Sequence, residues 1–207
     1  MLSILQAAGW PIWPLLACSV LGLALALERF HALGNARVHP PDLLEQALLA
    51  TRAGLPAPEV IRQFESHSVL GAVLAGGWRA LQANPQADAA QLRAAIEAAG
   101  RLAASELQRN LTALGSIASA APLLGLLGTV IGMIEIFGSQ SPAGTDPRVL
   151  AHGISVALYN TAFGLVVAIP SMIFYRHFRA RVDDFLVEME AQAVRLVEAI
   201  HGDRHGD

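Results

Sequence analysis

The sequence predicts an all-α membrane protein with three transmembrane helices, the second and third extended into the cytoplasm, and a helical cytoplasmic loop. Three observations predict it. Between residues 111 and 175 the chain carries three formal charges, Glu135, Asp146 and Arg148. The composition is 54% hydrophobic over 207 residues with a mean hydropathy of +0.45, too little polar surface for one water-soluble globule. Three apolar runs approach or exceed the roughly 20 residues that cross a hydrocarbon core.

The first run covers residues 12–27, with Trp10 and Trp13 at its start and Glu28-Arg29 closing it. A signal peptide needs a positive segment ahead of its apolar one, and residues 1–27 hold no charge. The tryptophans suit an interfacial belt, so the run is expected to be a span. The second run is 111–134 and the third 154–175. Arg29 and Arg37 follow the first, Arg101 and Arg109 precede the second, and Arg176, Arg179 and Arg181 follow the third. The positive-inside bias then puts the N-terminus outside, in the periplasm of a bacterium, and both the 28–110 region and the C-terminus inside.

The resulting division is a periplasmic N-terminus and first span (1–33), a cytoplasmic helical region (34–110), a second span (111–137), a short periplasmic turn (138–153), a third span (154–175) and a cytoplasmic C-terminal helix and tail (176–207). Within the inner region, Asp42 is placed to cap a helix running to about Ala53. Gly54-Leu55-Pro56-Ala57-Pro58 breaks the chain, residues 59–67 form a second short helix, and 69–83 a third closed by Asn84-Pro85. From about Ala87 no strong breaker precedes Pro122, so one helix of about fifty residues is expected to run from the cytoplasm into the second span, roughly 75 Å long. The third span is expected to continue through Val182, Phe185, Leu186, Met189, Ala193, Leu196 and Ile200, an apolar stripe at helical spacing. Its opposite face carries Asp183, Asp184, Glu188, Glu190 and Glu198. The terminal HGDRHGD reads as a frayed tail. His201 and His205 stand at i, i+4, but with no second motif a solvated end outweighs a metal site.

Several functions are disfavoured. All fourteen basic residues are arginines and are dispersed, leaving no basic stripe for nucleic acid. The single cysteine, Cys18, lies in an apolar run and has no internal disulfide partner. The spans hold no paired acids, HExxH or Ser/His arrangement, so no enzyme activity, cofactor or metal is expected.

Inside the spans, small residues fall on one face: Gly125, Gly128 and Gly132 in the second, and Ala157, Thr161, Gly164 and Ala168 in the third. Such stripes let helices approach closely in lipid and read as self-complementary seams for helix association. Thr129 and Thr161 add hydroxyls that can bind water, a carboxylate or their own backbone, the last being the commoner fate. Pro122 and Pro170 each remove a helical hydrogen bond, freeing the carbonyls of Ala118 and Val166 and marking candidate kinks.

APLLGLLGTVIGM followed by GISVALYNTAFGLVVAIPSMIFYRHF resembles the paired signature of the ExbB/TolQ/MotA proton-channel family. The resemblance covers essentially the whole chain and is nearest to the ExbB-like biopolymer transport proteins. It implies a homopentamer in the bacterial inner membrane whose second and third spans surround a dimer of a single-span, ExbD- or TolR-like partner. That partner's intramembrane Asp would carry the proton, and the family's pathway threonines fall on Thr129 and Thr161. The complex would use proton-motive force to energise a TonB-like protein. Alternatives are a TolQ-like envelope-maintenance energiser and a non-conducting membrane scaffold.

The chain departs from the family at one position: where ExbB and TolQ usually carry an acid within GI-x-E-A-L, Val156 stands here. Asn160, one turn inward on nearly the same face, offers hydrogen bonding without titration. Glu135 titrates, and a carboxylate in a span is a functional candidate. It lies about 120° around the helix from Thr129, near the span's outer end, where interfacial solvation and a role at the periplasmic mouth are equally open.

Overall fold

The computed structural model describes residues 9–138 and 147–205, and the secondary structure among the described residues is helical. Seven helices follow in order: α1 (Ile12–Ala32), α2 (Asn35–Val38), α3 (Leu43–Arg52), α4 (Pro58–His67), α5 (Val69–Ala83), α6 (Ala89–Gly138) and α7 (Pro147–His205). Three of them, α1, α6 and α7, are long and apolar enough to cross a membrane. Their most apolar windows are only 28%, 22% and 33% buried. Rows such as Leu123, Leu126, Leu127 and Val130 on α6, and Val166, Ile169 and Ile173 on α7, therefore face outward. Exposed apolar surface on that scale suits lipid or other chains and not water.

The chain divides into two compact units, the described parts of 1–29 with 110–177 and those of 30–109 with 178–207. In the first, the apolar parts of α1, α6 and α7 pack together. Leu15, Ala121, Val167 and Ala168 form the buried cluster, with Cys18, Ile117, Leu124 and Phe163 against it. Cys18 thus serves as a small apolar side chain. A Cβ on Gly22 would stand 3.2 Å from Ser171 Oγ and 3.6 Å from Ile117 Cγ2, so α1 meets both other spans at this glycine. At the end of α1, Arg29 is buried against Glu28, its Nε donating to Oε2 at 2.6 Å. Asn110 Nδ2 donates to the same Glu28 oxygen at 3.0 Å, tying α1 to α6.

In the second unit, Trp78 is fully buried, its ring edge-on to Phe64 and its indole N–H donating to Thr51 Oγ1 at 3.0 Å. Ser68 Oγ caps α5 by accepting from the Gly71 N–H at 3.0 Å. Gly71 permits a very tight corner: a Cβ there would lie 2.0 Å from the carbonyl oxygen of Phe64. At the start of α6, Asp88 Oδ1 accepts from the Gln91 N–H and Gln91 Oε1 accepts from the Asp88 N–H. This reciprocal pair satisfies two donors that a helix start leaves open. The stripe on α7 is buried at Val182, Phe185, Met189, Ala193, Leu196 and Ile200, while Asp183, Asp184, Glu188, Glu190 and Glu198 are exposed.

Several local expectations need correction. Asp42 stands at the N-cap position of α3, but with φ 66° and no side-chain cap bond. The left-handed backbone, which Asp tolerates better than most residues, replaces the extended geometry of a capping side chain. Helix α7 begins at Pro147, ahead of the apolar run that starts at Ile154, because proline fits the first helical position, where its missing N–H has no partner to lose. It also runs to His205, through the expected frayed tail. The candidate kink residues Pro122 and Pro170 lie inside α6 and α7, where each removes one helical hydrogen bond without ending the helix. Most of the expected periplasmic turn, 139–146, lies outside the described residues.

Candidate functional site

The two glycine and alanine stripes meet each other within the chain. An added Cβ at Gly125 would lie 2.8 Å from the Asn160 carbonyl oxygen and 3.2 Å from the Gly164 Cα. At Gly164 it would lie 2.7 Å from the Ala121 carbonyl oxygen, and at Gly128 it would strike the Asn160 side chain at 2.8 Å. Gly132 faces Ala157 more loosely, at 3.5 Å. The seam therefore joins α6 to α7 backbone-to-backbone, the close approach that small residues permit in lipid. Each stripe is thus used by its neighbour in the same chain. Ala157 and Ala168 are both buried, Ala157 facing Gly132 and Ala168 in the cluster with Leu15.

The hydroxyls of the spans divide by partner. Thr129 Oγ1 donates to the Leu126 carbonyl of its own helix at 2.6 Å. Ser116, Ser119, Ser155 and Ser171 bond back in the same way to the carbonyl four residues earlier. Thr161 differs, its Oγ1 donating across the seam to the Gly125 carbonyl at 3.3 Å. With their hydrogens so engaged, both threonine oxygens retain lone pairs that accept from a water or a protonated acid. They cannot donate to a bare carboxylate without first releasing a backbone carbonyl.

Asn160 is 1% exposed, and its Nδ2 donates to the Val156 carbonyl at 3.4 Å. Glu135 is exposed and off the tight part of the seam. The two nevertheless border one cavity of about 290 Å³, together with Val156 and His152. Thr129 instead borders a separate open groove with Met133 and Phe137. His152 escaped the sequence reading because a lone histidine two residues ahead of an apolar run carries no motif. Its spacing of four from Val156 and eight from Asn160 was the available signal. Among the described residues no group of three or more His, Cys, Asp or Glu is placed to hold a metal ion.

Comparison with known proteins gives a coherent result. The MotA/TolQ/ExbB proton channel family matches residues 65–191. The biopolymer transport protein exbB1 of Vibrio cholerae is 34% identical over 171 residues, which cover 81% of this chain and 74% of the relative. An ExbB homolog of Methanothermobacter thermautotrophicus is 30% identical over 194 residues, covering 91% of this chain and 66% of its own length. The biopolymer transport protein ExbB of Helicobacter pylori is 44% identical over 79 residues, 38% of this chain and 54% of the relative.

Proposed function

Because the chain belongs to the MotA/TolQ/ExbB proton channel family, we propose that it is the channel-forming stator subunit of a complex that turns proton-motive force into work on a transport system. In this reading copies of the chain form a homopentamer in a bacterial inner membrane, with the N-terminus periplasmic and the C-terminus cytoplasmic. A dimer of a single-span, ExbD-like partner occupies the pore, its intramembrane Asp carries the proton, and a TonB-like protein receives the work. The subunit itself catalyses no covalent reaction.

The observation that carries the reading is the bond from Thr161 to the Gly125 carbonyl across the seam. It fixes a polar oxygen between two apolar helices, where a water or a protonated carboxylic acid can donate to it. Asn160, Thr161 and the Gly125 carbonyl thus put polar groups on the facing sides of α6 and α7, and polar groups held between membrane spans are candidates for an ion route. Because the glycine stripes are already used within the chain, the subunits associate through other faces, among them the outward rows of α6 and α7.

Proton flux into vesicles holding the chain, measured with and without an Asp-bearing single-span partner, tests the proposal. Flux that requires the partner and its Asp supports it. A stable assembly with no flux under any condition favours the non-conducting scaffold, and a monomer by native mass spectrometry removes the pentamer.

A further inference from the structure

Four features converge at one end of the α6–α7 pair. His152, Val156 and Asn160 recur every four residues on α7, one above another on a single face. Glu135 on α6 borders the same cavity of about 290 Å³, large enough for several waters. Glu135 and His152 are both exposed, whereas Asn160 is buried. At 1.5 Å per residue the face from His152 to Asn160 spans roughly 12 Å. The cavity is thus titratable where it is open and hydrogen-bonding but not titratable where it is closed.

We propose that His152 and Glu135 form a proton-collecting pair that loads this cavity and passes protons to waters ordered by Asn160. The proposal rests on the proton-conducting reading above. Imidazole is the side chain that can take up and release a proton within the physiological pH range, and the Glu135 carboxylate borders the same cavity. In the step, a proton from outside water binds the lone pair of an imidazole nitrogen. The imidazolium then releases a proton to a cavity water and returns to neutral; no heavy-atom bond forms or breaks. Glu135 serves as counter-ion or as the alternative acceptor. Among the described residues lining the cavity, the segment before α1 contributes Gly9, Trp10 and Pro11, none of which titrates. Arg148, one turn before His152 on α7, stays charged throughout. Val156 lies between the two polar positions, so a carboxylate introduced there would enter the same cavity.

The test is proton flux against outside pH, using vesicles of the full chain co-purified with its Asp-bearing partner. His152→Gln, which keeps size and polarity, is expected to lower flux several-fold and flatten its dependence on pH between about 5 and 8. Glu135→Gln should lower flux without removing that dependence. Val156→Glu in the His152→Gln background should restore most of the flux, which separates lost proton chemistry from misfolding. An unchanged pH profile in His152→Gln overturns the pair while leaving the channel reading intact, as does failure of Val156→Glu to restore flux in an assembly that still forms. Absence of flux in the unaltered complex overturns both.

Discussion

The hydroxyl of Thr161 donates to the carbonyl oxygen of Gly125 on the facing helix, 3.3 Å away. At the same level, a Cβ added to Gly125 would come within 3.1 Å of the Thr161 Cα. Backbone contact and hydrogen bond are therefore two sides of one arrangement, since the hydroxyl reaches the opposing carbonyl only because nothing larger than hydrogen stands at residue 125.

Thr161→Val removes that bond at constant shape. It is expected to cost about 0.5–1.5 kcal/mol of stability, seen as a lower melting temperature in detergent. In reconstituted vesicles it should slow proton flux by about tenfold, the equivalent of one pKa unit of interaction. Thr161→Ser should retain most of both. Full flux in the valine variant would make the hydroxyl purely structural and remove it from the pathway.

Gly164→Ala and Gly100→Ala make a matched pair. At Gly164 the new methyl meets backbone on α6, 2.7 Å from the Ala121 oxygen, and backbone cannot turn aside as a side chain can. A cost of about 1–3 kcal/mol is expected. Gly100 lies within α6 with nothing within 4 Å of the added carbon, so the same change should be neutral or stabilise by up to about 1 kcal/mol. Equal melting shifts for the two variants would refute the seam.

Trp78→Ala empties the fully buried site beside Phe64 and should cost about 3–5 kcal/mol. Thr51→Val leaves the Trp78 N–H without its acceptor and should cost about 1–2 kcal/mol. Denaturant titration followed by far-UV circular dichroism measures both, and a silent Thr51→Val would show that water replaces the hydroxyl.

Orientation is tested by single cysteines in a Cys18→Ser background. Ser141→Cys, which lies outside the described residues, should react with an impermeant thiol reagent added from the periplasmic side, and Asn84→Cys should not. The opposite pattern reverses the topology.

The sequence by itself determined the spans and the long helices, because these depend on local properties. The apolar run of α6 and the absence of a breaker between Ala89 and Pro122 set a 50-residue helix, and the 3–4 spacing on α7 set which face is buried. The capping pair of Asp88 and Gln91 was equally local and legible at D-x-x-Q. Only the tertiary structure decided partners. The glycine stripe on α6 carries no statement of which helix it will meet, and packing assigns it to α7 of the same chain. Likewise, Thr129 and Thr161 look equivalent as sequence, yet one bonds to its own helix and the other across the seam. His152 and Glu135 come to border one cavity only where two helices lie side by side, because a cavity is a property of the space between elements and not of either element alone.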